Sequence, residues 1–123
     1  MLNKSNPIGF VATQNAKKAR TFYENALGLK FISEDGFALV FEANGMMLRI
    51  QKVKEVNPQK YTVLGWKVSD IQKEVRELGK RGVIFARYEG MEQDDLAIWT
   101  APSGAKIAWF EDPDGNILSI TEF

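Results

Sequence analysis

The 123-residue chain contains no histidine and no cysteine. Histidine is the commonest metal ligand and the usual general acid–base near neutral pH. Cysteine is the other soft ligand and the strongest intrinsic nucleophile. Their absence excludes disulfides, thiolate nucleophiles and imidazole catalysis. An excess of charge of either sign is also missing, because 16 acidic residues balance 16 basic ones. The chain therefore lacks the electrostatic footprint of a nucleic-acid binder, and no nucleic-acid partner is expected. The one basic run, Lys17, Lys18 and Arg20, reads as a solvated helix face with Glu24 four residues beyond Arg20. No apolar run approaches the roughly eighteen residues of a membrane span. Asn3, Lys4, Ser5, Asn6 and Pro7 interrupt any signal-peptide core. With no disulfides, on which small secreted domains rely, the expectation is a cytoplasmic protein with no membrane partner.

What is present suits one domain, or two small modules sharing a core. Residues 8–13 read as a strand. Asn15, with Thr13 as a rival, is placed to cap a helix whose apolar stripe is Ala16, Ala19, Phe22, Tyr23, Ala26 and Leu27. Gly28 is the expected left-handed terminator. Strands follow over 29–33, 37–42 and 46–53, the last two joined by an Asn44-Gly45 hairpin turn. Residues 54–60, polar and containing Pro58, read as a linker.

The pattern then restarts. Residues 61–68 read as a strand, and Ser69 with Gln72 forms a capping box for a helix carrying Ile71, Val75 and Leu78 on one face. Gly79 or Gly82 ends it. Strands are expected over 83–86, 96–100, 106–110 and 116–123. A long polar loop spans 88–95, and Asp112-Pro113-Asp114-Gly115 is a strong turn. Thr13 and Asn15 thus correspond to Val68 and Asp70, and Gly28 to Phe31 correspond to Gly82 to Phe85. The chain is an internal repeat of two βαβββ modules, about 6–53 and 61–123. In each module one helix covers one sheet face. The other face must meet a second module, and a pocket can form there.

Three stretches carry a resemblance to a known family. Arg20 to Leu29 (RTFYENALGL) resembles the first-helix motif of the vicinal oxygen chelate superfamily, which includes glyoxalase I, extradiol dioxygenases, fosfomycin-resistance enzymes and bleomycin-binding proteins. Val68-Ser69-Asp70-Ile71 resembles its second-module helix start. Ala108 to Asn116 (AWFEDPDGN) resembles its late-strand turn. The resemblance implies an α+β fold in which two tandem βαβββ modules form a curved mixed sheet around a central cavity. The Leu96-Ala97-Ile98-Trp99 strand and the Ala108–Asn116 ending are also similar to a narrower group of small members to which no activity attaches. One fold hosts many activities, so the likeness alone does not specify a reaction.

In metal-dependent relatives four inward-facing strand residues, mostly histidine and glutamate, hold the ion. Counting from the motifs places these positions at Ile8, Arg49, Val63 and Ser119. Two aliphatics, a cation and a hydroxyl do not make a divalent-metal site. A one-residue shift gives Gly9, Leu48, Leu64 or Leu118, which is no better. No metal, no cofactor and no catalytic residue is therefore assigned.

Strand alternation predicts which side chains face away from the helices. The ligand-binding candidates are Phe10, Met47, Arg49, Gln51, Lys67, Trp99, Ser119 and Thr121. Apolar walls with a few polar groups and two cations suggest an anionic or carbonyl-bearing ligand. Arg49 is the sharpest candidate, because a guanidinium grips carboxylates bidentately. Its ordinary alternatives are a solvated strand residue or a cross-hairpin pair with Glu42. Lys67, Ser119 and Thr121 also read as ordinary strand residues. Trp66 reads as core. Trp99 and Trp109 could stack on a flat ligand or fill an interface. Tyr88, Glu89 and Met91 lie in the long loop, a lid or a dimer contact. The leading expectation is a metal-free small-molecule-binding protein, and a homodimer, since each module needs a partner. The alternatives are a lyase, isomerase or dioxygenase-type enzyme with a non-standard site, and an interaction module. An enzyme without metal would be confined to carboxylates, Lys67, Tyr61 or Tyr88 for proton transfer.

Overall fold

Asn15 and Asp70 begin the two helices in the same way. Asn15 (φ −141°, ψ 87°) accepts a hydrogen bond from the Lys18 N–H, and Asp70 (φ −139°, ψ 93°) accepts one from the Lys73 N–H. These are matched positions of the repeat. The computed structural model describes residues Met1–Phe123 and divides into two compact units, Met1–Asn57 and Pro58–Phe123.

After a short 3-10 turn, Leu2–Lys4, the first unit runs β1 (Ile8–Thr13), α1 (Ala16–Thr21, continuing as a π-turn over Phe22–Ala26), β2 (Lys30–Glu34), β3 (Ala38–Ala43) and β4 (Met46–Lys52). The second runs β5 (Thr62–Lys67), α2 (Ile71–Lys80), β6 (Trp99–Thr100), β7 (Lys106–Glu111) and β8 (Ile117–Glu122). Each unit builds its own four-stranded sheet. The orders are β1-β4-β3-β2 and β5-β8-β7-β6, with the first and last strands of each unit parallel and the other pairs antiparallel. The topology is thus an α+β repeat of one plan.

One face of each sheet is buried with its helix. In the first unit Val11, Leu39, Phe41, Leu48 and Ile50 are buried together with Ala19 and Tyr23. In the second, Ala108, Phe110, Leu118 and Ile120 are buried, as are Ile71 and Val75 of α2. Burying a large apolar side chain stabilises by about 1.5–3 kcal/mol, against about 1 kcal/mol for a cap. The apolar stripe therefore makes these short helices form, and the cap sets where they start. The repeat extends to the aromatics. Phe31 meets Phe41 edge-on at 5.6 Å, and Phe85 meets Phe110 edge-on at 5.4 Å.

Two expectations change, and one choice is decided. The Ser69–Gln72 capping box gives way to Asp70 as the cap, while the Glu122 carboxylate accepts from the Ile71 N–H at 3.1 Å. Of the two glycines weighed as terminators, Gly82 ends α2. Its φ of 92° lets Val83 N–H reach the Leu78 carbonyl at 3.0 Å, a closure that a residue with a Cβ resists. Finally, the strand expected over 83–86 shrinks to a single bridge, Phe85 to Phe110, and that over 96–100 to Trp99–Thr100.

The cause of that shrinkage is Gln93. Its amide donates to the Ala86 and Ala97 carbonyls, both at 2.9 Å, and accepts from the Tyr88 N–H at 2.7 Å. One side chain thus satisfies backbone groups that a strand ladder would otherwise pair. Asp94 fixes the far end of the loop by accepting from the Leu96 and Ile98 N–H groups. Gln93→Leu leaves two carbonyls without their donor. We expect it to destabilise the protein by roughly 1–3 kcal/mol in chemical denaturation and to speed hydrogen exchange at the Tyr88 amide.

Candidate functional site

In the first unit, strand register gathers the sequence candidates onto the face away from α1. Phe10 pairs with Arg49, Ile8 with Met47 and Ala12 with Gln51, while Val40 flanks Arg49 from the other side. Phe10, Met47, Arg49 and Gln51 therefore share one face. Ile8, Phe10 and Met47 are 49%, 58% and 44% exposed. The Arg49 side chain is only 27% exposed.

The ion pair weighed for Arg49 was with Glu42. The structure pairs it with Asp35 instead, at 3.8 Å. Asp35 sits in the β2–β3 turn, where it accepts from the Phe37 and Ala38 N–H groups at 2.7 and 2.9 Å. These bonds, helped by the charges of Arg49 and Lys52, hold its carboxyl below the usual carboxylate range. At 3.8 Å the pair is Coulombic contact without a hydrogen bond, so the guanidinium keeps donors for another carboxylate.

In the second unit, Lys67 pairs with Thr121 and Gly65 with Ser119, while Leu64 and Trp66 pair with Leu118 and Ile120 on the helix side. Lys67, Ser119 and Thr121 thus share the face away from α2. Lys67 is exposed and Ser119 buried. A Cβ at Gly65 would lie 2.7 Å from Ser119 Oγ, so glycine is what lets the two strands close over that hydroxyl. Val63 is the extra residue of a bulge between Thr62 and Leu64.

The fourth candidate of this unit, Trp99, belongs to an aromatic cluster. Its ring lies 6.0 Å from that of Trp109, and Tyr88 meets Trp109 edge-on at 5.7 Å. Beside them is a cleft of about 390 Å³ lined by Lys60, Tyr61, Thr62, Tyr88, Trp109 and Ile117. None of these six is among the eight ligand-binding candidates of the sequence. Trp109 was legible, since Ala108 and Phe110 on either side point to the helix and Trp109 must point away. Tyr61 and Tyr88 were not, because their placement depends on loop geometry.

The residues do not fit the metal of the metal-dependent relatives. Ile8 and Arg49 lie on one face of the first sheet, Val63 is a bulge residue of the second and Ser119 faces Gly65. None of the four is an imidazole or carboxylate, and no three acidic residues come together as a metal-holding group.

Burial, then the negative charge of Glu111, push the Tyr88 hydroxyl above its ordinary value of 10.0. The unfolded chain releases this proton near the ordinary value and the folded chain only above it. Over that interval the unfolded state holds fewer protons, so stability falls as pH rises past about 10. Tyr88→Phe removes this share of the alkaline loss, measurable as a smaller drop in urea midpoint between neutral and alkaline buffer.

The geometry agrees with comparison to known proteins. Solved structures match over nearly the whole chain. A glyoxalase family protein from Enterococcus faecalis is 22% identical, with 99% of this chain and 100% of that one covered and a TM-score of 0.75. A superfamily member from Sphaerobacter thermophilus is 21% identical, with both chains fully covered and a TM-score of 0.76. An integron cassette protein from the mobile metagenome of the Halifax Harbour sewage outfall is 22% identical over 98% of this chain and 99% of that one, with a TM-score of 0.73. At these identities the likeness is one of fold. No curated protein matches the sequence significantly. The family model described as Glyoxalase/Bleomycin resistance protein/Dioxygenase superfamily matches residues 5–120. With that match, on a twice-repeated four-stranded plan, the chain belongs to the Glyoxalase/Bleomycin resistance protein/Dioxygenase superfamily.

Proposed function

We propose that the chain is a metal-free small-molecule-binding protein whose ligand is anionic or carbonyl-bearing. The observation that carries this reading is the setting of Arg49. It is a largely buried cation, flanked by exposed Phe10 and Met47, whose carboxylate partner stands at 3.8 Å. Apolar surface around one fixed charge is the composition of a small-molecule site. A ligand carboxylate gains a shorter, bidentate contact there than Asp35 makes. The polar Gln51 on the same face supplies a second point of attachment.

A thermal-shift screen of metabolites and antibiotics identifies the ligand, since binding to the folded state raises the melting temperature. For an anionic hit, Arg49→Ala should weaken binding by about 1.5–3 kcal/mol, roughly ten- to 150-fold in Kd by calorimetry. Asp35→Asn, which frees the guanidinium, should strengthen it. Unchanged affinity in Arg49→Ala removes Arg49 from the site.

The apolar residues on this face also support a homodimer, because Ile8, Phe10 and Met47 are adjacent through the β1–β4 ladder and exposed. Sedimentation equilibrium should give twice the monomer mass, and Phe10→Lys should shift the protein toward monomer.

A further inference from the structure

The aromatic cleft of the second unit has a composition different from the Arg49 face. It is lined by three aromatic residues, Tyr61, Tyr88 and Trp109, with Ile117, Lys60 and Thr62. Trp109 is held from two sides, by Tyr88 at 5.7 Å and by Trp99 at 6.0 Å. Tyr88 is held by its backbone, which donates to Gln93 at 2.7 Å, while no hydrogen bond within the chain engages its hydroxyl or the Trp109 indole N–H. The Tyr88 and Trp109 rings are thus braced and their donors are uncommitted. Fixed aromatic walls suit a flat ring, which stacks at little entropic cost.

Charge narrows the class. Glu111 pairs with Ile117 in the ladder, so it stands on the cleft's side of the sheet, and it acts on the Tyr88 hydroxyl. An anionic group at Tyr88 would meet that carboxylate. A neutral oxygen acceptor would not, and it would take the proton that Tyr88 keeps.

We infer that this cleft binds an uncharged planar aromatic compound bearing a carbonyl oxygen, with its ring against Trp109 and its oxygen accepting from the Tyr88 hydroxyl. The cleft is a second site, separate from the Arg49 face, and its ligand class is a ring with a neutral carbonyl rather than a simple anion.

The test uses the full chain labelled with nitrogen-15 and three probes: 2-acetylnaphthalene, 2-naphthoate and cyclohexyl methyl ketone. The indole N–H signals of Trp66, Trp99 and Trp109 are assigned with single Trp→Phe variants. The expected result is a saturable shift of the Trp109 signal by 2-acetylnaphthalene, with tighter binding than either other probe. Tyr88→Phe keeps the ring and loses the donor, so it should weaken the aryl ketone about two- to tenfold. Trp109→Leu should weaken the aryl ketone about tenfold or more. Equal affinity for the aryl and cyclohexyl ketones, tighter binding of the naphthoate, an unchanged Kd in Tyr88→Phe or a shift confined to Trp66 each overturns the proposal. If the aryl ketone fails while an anionic hit still depends on Arg49, only the aromatic cleft falls. If both fail, the ligand-binding reading falls with it.

Discussion

Each unit holds one helix against a four-stranded sheet, so each sheet has one face under a helix and one face that its own unit leaves bare. Almost everything else follows from that shortage of cover. In the first unit the helix face is closed by Val11, Leu39, Phe41, Leu48 and Ile50. The bare face carries Phe10, Met47, Arg49 and Gln51. In the second the same division places Trp109, Ser119 and Thr121 opposite Phe110, Leu118 and Ile120. The period of two along a strand makes this division strict, since a slip of one residue would exchange the two sets.

The two bare faces have diverged although their scaffolds match. One offers a guanidinium among aliphatic and aromatic side chains, held loosely by Asp35. The other offers three aromatic rings and hydroxyl or indole donors, with charges of both signs at its edge. The difference traces to the segment after each helix. In the first unit this segment is β2, paired along β3. In the second its backbone bridges β7 at Phe85 alone and then departs as a loop that Gln93 and Asp94 organise. That departure is what brings Tyr88 to Trp109. An aromatic cleft has been made where a strand was given up.

Much of this was legible in the sequence. The repeat, both helices, the cap at Asn15, the Asn44-Gly45 hairpin and the Asp112 turn all depend on local chemistry and strict periodicity. So does the sorting of Arg49 and Ser119 onto the bare faces. What stayed hidden depended on distant partners. Gln93 sits in a polar run that reads as unstructured loop, and only its three backbone bonds reveal its role. The partner of Arg49 is a turn residue, Asp35, rather than its neighbour on the hairpin. The bulge at Val63 shifts register without any glycine or proline to mark it.

The lack of histidine reaches further than the metal question. No side chain of the chain has an ordinary pKa between about 5 and 8. The fold moves Asp35 downward and Tyr88 upward, both away from neutrality. Each therefore keeps one charge state throughout the physiological range. Neither group answers a mild acidification of the surroundings. A ligand that ionises near neutrality would bring to either face a pH dependence that these two side chains do not supply.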